Sequence, residues 1–325
     1  MPSDTEFNLF TSLRYDPLLL TSEENSQPWL NYVSPSPFYM LIYHRDRMLE
    51  AAQHFDFHAV VEKLQDGKKL HEELLKEVKG YIEKGGKDEP LKLRILFDKT
   101  GIMTLDFLPL PPVPLTALYP SSLSPPNQPL ERHPANTEPL SPTPQTASNP
   151  ESPECVFRLD TAPTPSTPFT LLKTTYRDFY DQSRKRALPT NPLGQAYTEV
   201  LLYNEVSELT EGTMTSLYLY RGGRWVTPPV GVPAGEFNSS TLKTGPDGNE
   251  NADEGESRKP FAGRWGHSVR SAKVGAGGQR GTSRRWALKK GFCMEEPVSV
   301  DTVKVGEGAW VSNGVRGFQF GRVVE

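Results

Sequence analysis

The sequence predicts an α/β fold in two parts, a small N-terminal α/β domain over residues 1–108 and a larger β-rich domain over 155–325. Three observations carry that expectation. Apolar residues recur at helical spacing between 44 and 84. Alternation by twos marks strands at 91–108 and again beyond 155. Between 109 and 168 lie 17 of the chain's 31 prolines.

Arg14, in FTSLRYD, reads as a charge at a strand edge. FYMLIYHRDRMLE (38–50) begins as an apolar strand and turns helical at about His44, after which Met48, Ala52 and Phe55 keep the helical spacing. Helix continues from 57 to 84, where Val60, Val61, Leu64, Leu70, Leu74, Val78 and Ile82 form one stripe and Lys and Glu face outward. LKLRILFD (91–98) and IMTLDFL (102–108) alternate like paired strands around Lys99, Thr100 and Gly101.

From 109 to 154 the chain is rich in Pro, Ser, Thr and Asn, too poor in apolar area to offset the entropy of ordering, and a mobile linker is expected. CVFRLD (155–160) is expected to re-enter the fold as a strand. A helix at 175–188 follows, then strands in YTEVLLYN, MTSLYLY and GRWVTPP. A second polar insert is expected at about 236–280, then a helix at 282–290 and strands in MEEPVSV, AWVSN and FQFGRVV.

Composition excludes several classes. The net charge of -4 has both signs well mixed, which argues against a nucleic-acid binder. Two cysteines, 155 and 293, without ligand spacing support neither a disulfide framework nor a metal site. The acidic opening MPSDTEFNLF has no long apolar core, and no apolar run approaches a bilayer's span, so a cytoplasmic protein with no membrane partner is expected.

Single motifs leave two readings each. GGQRGTSRRWAL (277–288) joins a glycine-rich approach to a helix start, either a phosphate site on free N–H groups or a flexible loop with an N-cap. Glu211, in SELTEGTMTSLYLY, is either a turn carboxylate in water or a buried acid that needs a partner. Arg47 reads as a solvated helix charge, and Lys173, in SPFTLLKTTYRDFY, as a surface amine or a reactive one.

Their order in the chain is more telling. FTSLRYD, HRDRMLEAA, LLKTTYRDFY, ELTEGTMTSLYLY, GTSRRWAL and WVSNGVRG resemble, in sequence, the landmarks of fold-type IV pyridoxal-phosphate enzymes, the class IV aminotransferase family. The likeness is greatest to its aminodeoxychorismate lyase branch in the long-insert fungal form, and it covers most of 8–108 and 155–325. The resemblance implies pyridoxal 5'-phosphate as cofactor and Lys173 as the catalytic lysine that carries it. It implies Glu211 at the pyridine nitrogen, and Arg47, Thr282 and Ser283 on the phosphate. Gly314 and Val315 would border the cofactor, and Arg14, Asn313 and Arg316 the substrate.

The activity implied is 4-amino-4-deoxychorismate lyase, which eliminates pyruvate to leave p-aminobenzoate in the folate pathway. A branched-chain or D-amino-acid aminotransferase would need the same cofactor residues, and a non-catalytic scaffold docking partners through its prolines is a third reading. The partner expected is a small molecule, and a homodimer accords with the resemblance.

Overall fold

The structure is a computed structural model that describes residues 6–126, 155–188, 198–230 and 277–325. Strands β1 (Leu9–Tyr15), β2 (Leu91–Phe97) and β3 (Met103–Pro109) form an antiparallel sheet in chain order. Leu91, Leu93, Ile95 and Phe97 of β2 are buried, while Lys92 and Arg94 take the opposite face, as alternation requires. The β2–β3 turn is fixed by Asp98, whose Oδ1 accepts from the N–H groups of Thr100 and Ile102.

Helices α1 (Leu41–His54), α2 (His58–Lys63) and α3 (Gly67–Glu83) cover this sheet. Asp66 caps α3 by accepting from Lys68 and Lys69 N–H, and the predicted stripe buries Leu70, Leu74 and Val78. Helix α1 starts at Leu41 rather than His44. The strand expected before it shrinks to one bridge between Tyr15 and Phe38. Phe38, Tyr39, Met40 and Leu41 are all buried, and a short apolar run buried all round has no periodicity to separate strand from helix.

The larger sheet comprises β4 (Cys155–Leu159), β5 (Thr198–Tyr203), β6 (Leu209–Gly212), β7 (Ser216–Arg221), β8 (Arg224–Thr227), β9 (Met294–Glu295), β10 (Gly308–Asn313) and β11 (Gly317–Val324). Its spatial order is β6-β5-β4-β11-β10-β7-β8-β9. Strand β4 runs parallel to both β5 and β11. The strand expected over MEEPVSV is only two residues long, because Pro297 offers no N–H to a ladder. Helices α4 (Leu115–Leu118), α5 (Pro168–Leu171), α6 (Asp178–Ala187) and α7 (Thr282–Lys289) complete the fold.

The linker expected from 109 does not begin there. Leu118 and Leu123 are buried, Tyr39 donates its hydroxyl to the Leu118 carbonyl at 2.5 Å, and Trp225 donates to the Leu123 carbonyl at 2.8 Å. Prolines that limit regular structure here to the single turn of α4 do not exclude burial of the few leucines between them. The rest of that tract, and the second insert up to 276, lie outside the described residues. Around Trp286, one apolar cluster joins Leu19, Tyr39 and Tyr43 to Leu118, Tyr218 and Phe318, so helix α1, which covers the small sheet, shares a core with the larger sheet.

Candidate active site

A cavity of about 300 Å³ opens between the two sheets, a volume at the lower end of ordinary ligand sites. Lys173, Glu211, Arg47, Thr282, Asn313, Gly314, Val315 and Arg316 all line it. Ser283 and Arg14 do not.

Lys173 follows α5, a single turn closed by reciprocal hydrogen bonds between Thr167 and Thr170. Its carbonyl accepts from Phe10 N–H at 3.3 Å, which pins the backbone to β1. The amine lies 3.4 Å from Gln279 Oε1 and 4.8 Å from the centre of the Phe10 ring. Burial, and then the charges of Arg47 and Arg177, hold its pKa well below that of an ordinary lysine.

Glu211 is no turn residue in water. It sits inside β6, 7% exposed, and Oε1 lies 2.7 Å from the Tyr180 hydroxyl. Burial lifts its pKa to about 7 against the opposing pull of hydrogen bonds from Tyr180 and the Gln279 backbone. A carboxylate poised there suits a cationic N–H partner.

Arg47 projects from α1, donating from Nη2 to Thr11 Oγ1 at 2.6 Å and from Nη1 to the Arg280 carbonyl at 3.4 Å. Burial lowers its pKa to about 10, so it stays charged at neutral pH. Among the described residues its Nε is buried without a hydrogen-bond partner, as is Thr282 Oγ1. Helix α7 has Gly281 at its N-cap and no side-chain cap, which leaves N–H groups of its first turn without an intrahelical partner at the cavity that Arg47 also lines. A guanidinium, a free hydroxyl and an uncapped helix start form a donor set with no acceptor, which fits a phosphate group. Gly314 keeps this cradle open, since a Cβ there would lie 2.6 Å from both Thr282 Oγ1 and the His44 ring.

Ser283 takes another path. Its hydroxyl is fully buried and bonds Ser312 Oγ at 2.8 Å, which in turn meets the Tyr218 hydroxyl at 2.7 Å. Asn313 shapes the β10–β11 turn, its Oδ1 accepting from Val315 N–H at 3.0 Å and Arg316 N–H at 2.8 Å. Arg14, expected beside the substrate, is buried behind that turn. It pairs with Asp16 at 2.7 Å and donates to the Val315 carbonyl, so its fork is spent on the frame.

Several lining residues had no signal of their own in the sequence. Lys92 and Arg94 occupy the polar face of an alternating strand, and alternation does not tell that this face is the cavity wall. Arg177 lies four residues beyond Lys173, a spacing that places both near one site once the lysine is identified. Tyr180 and Gln279 are 99 positions apart and meet only in the fold.

The family model described as class IV amino-transferases matches residues 31–233. No curated protein sequence matches the chain. In fold it is similar to a protein of Mesorhizobium loti provisionally named an amino-acid aminotransferase, at 18% identity with 98% of this chain and 100% of that one covered, TM-score 0.53. It is similar also to a Legionella pneumophila protein provisionally named a 4-amino-4-deoxychorismate lyase, at 10% identity with 100% and 88% covered, TM-score 0.52.

Proposed function

The chain belongs to the class IV aminotransferase family, whose enzymes use pyridoxal phosphate, and we propose that within it this protein is a 4-amino-4-deoxychorismate lyase. The observation that carries the reading is the charge of the cavity wall. Beyond Lys173 and Arg47, Lys92, Arg94, Arg177 and Arg316 line it, and Glu211 is its only carboxylate among the described residues. A surplus of cations of that size suits a substrate with two carboxylates, which aminodeoxychorismate has. A branched-chain amino acid offers one carboxylate and an apolar side chain, a poorer match.

Arg47, Thr282 and the first turn of α7 would hold the cofactor phosphate. Glu211 would face the ring nitrogen, and Lys173 would carry the cofactor. Held there, pyridoxal phosphate would supply an electron sink that acidifies the carbon bearing the substrate amine. Lys173, neutral more readily than an ordinary lysine, removes the proton from the amine-bearing ring carbon. The carbon–oxygen bond to the enolpyruvyl group then breaks, a proton reaches the departing carbon, and pyruvate and p-aminobenzoate result. Arg316 and Lys92, at the same wall, orient the substrate through its carboxylates. The Asn313 turn fixes Arg316 at its backbone N–H.

The test supplies aminodeoxychorismate to the cofactor-loaded protein with no keto-acid acceptor. Stoichiometric p-aminobenzoate and pyruvate are expected. Product that forms only when an acceptor is added would replace this reading with an aminotransferase, and a protein unable to bind the cofactor would leave the scaffold reading.

A further inference from the structure

Three hydrogen bonds in series cross the cavity wall. Lys173 Nζ lies 3.4 Å from Gln279 Oε1, Gln279 Nε2 donates to the Tyr180 hydroxyl at 3.0 Å, and that hydroxyl lies 2.7 Å from Glu211 Oε1. Chemistry sets their direction. With the lysine amine as donor, the amide turns its oxygen to Lys173 and its NH₂ to Tyr180. The hydroxyl oxygen therefore accepts, and its own proton points to Glu211, the nearer of two acceptors, the Thr170 carbonyl being 3.1 Å away. Glu211 is left accepting the phenol's proton, an arrangement that favours its ionised form.

Gln279 reaches Glu211 a second time, through its backbone N–H. That approach depends on the two glycines before it. Gly277 and Gly278 have φ of +79° and +80°, and a Cβ on them would lie 2.9 Å from Thr210 Cγ2 and 3.2 Å from the Thr210 carbonyl oxygen. Only glycine lets this segment lie flat against β6. On the other side Arg177 stacks 4.5 Å over the Tyr180 ring and donates to the Thr213 carbonyl at 2.8 Å, so the phenol cannot swing away.

We propose that Gln279 and Tyr180 are positioning residues that hold Glu211 as the ionised acceptor of the cofactor's ring N–H. The inference rests on the reading that Glu211 faces the ring nitrogen, and it adds what keeps the shared proton on nitrogen rather than on the carboxylate. Without the phenol's hydrogen bond, a carboxylate in so dry a place gains proton affinity and draws that proton across.

The experiment loads the full-length protein with pyridoxal phosphate labelled with nitrogen-15 in the ring and records the ring-nitrogen chemical shift by NMR. Tyr180→Phe removes one oxygen, and Gln279→Leu keeps the side chain's size, so either alone serves if the other fails to fold. Both are expected to move the signal toward the unprotonated pyridine position, Tyr180→Phe further than Gln279→Leu. Glu211→Gln is the reference. If it moves the signal and neither of the others does, this inference is overturned while the placement of Glu211 stands. If Glu211→Gln itself leaves the signal in place, the underlying reading is overturned.

Discussion

Arg14 donates from Nη1 to the carbonyl of Val315 at 3.1 Å, joining the first strand to a turn 301 residues further along the chain. Its backbone N–H also donates to the Gly314 carbonyl at 3.2 Å, so strand β1 supports the turn that borders the cofactor cradle. Arg14→Met removes the fork and leaves the Asp16 carboxylate buried without its cation. A loss of about 3–5 kcal/mol in urea unfolding is expected, as for other broken buried pairs. An unfolding midpoint equal to the wild type's would show that Asp16 is satisfied without Arg14.

The fate of Arg14 shows what was legible in the sequence and what was not. Strand β2 could be read directly, since its alternation is a property of neighbouring residues. Lys173 and Glu211 were found by their order among other landmarks, and the fold brings both to one cavity. Whether an arginine's fork meets a substrate or a carbonyl depends on which turn packs behind it, and no local pattern encodes that. The same holds for Tyr180 and Gln279, whose contact requires the glycine-rich approach to α7 to lie along β6. Leu118 and Leu123 were hidden for a different reason, because proline content predicts missing secondary structure and says little about burial.

Gly314→Ala places a methyl group 2.6 Å from Thr282 Oγ1 and from the imidazole of His44. His44 is fully buried and hydrogen-bonded to Thr11 at 2.8 Å, so it has little room to yield, and Thr282 must move. Cofactor affinity is expected to weaken by roughly tenfold, equivalent to about 1.4 kcal/mol. Fluorescence titration with pyridoxal phosphate measures it; an unchanged Kd would mean that Thr282 does not meet the phosphate.

Stability of the cofactor-free protein should carry the signature of Glu211. Its folded pKa of about 7 exceeds its ordinary 4.5, so between those values the folded state holds more protons than the unfolded chain. Stability therefore falls as pH rises through that window. Glu211→Gln has nothing to titrate there. Relative to wild type, the variant is expected to gain in urea unfolding above the window compared with below it, and parallel curves would assign the ionisation cost to another group.

Lys92 tests the substrate's charge. Its pKa is lowered by burial and then by the nearby charges of Arg316, Arg94 and Arg177, a strain that an incoming carboxylate relieves. Lys92→Gln is expected to raise KM for aminodeoxychorismate by roughly tenfold, the worth of one charge-assisted hydrogen bond, with cofactor Kd unchanged. A KM within twofold of wild type would remove Lys92 from the substrate's reach.

In the larger sheet, β11 stands between β4 and β10, so the ladder carrying Glu211 and the ladder carrying Asn313 are zipped together by a segment that follows both in the chain. A premature stop codon at position 317 would then spare every residue proposed here to touch cofactor or substrate and still leave two raw strand edges facing water. Such edges recruit other chains, and the truncated product is expected to be found in inclusion bodies rather than as a weakened enzyme.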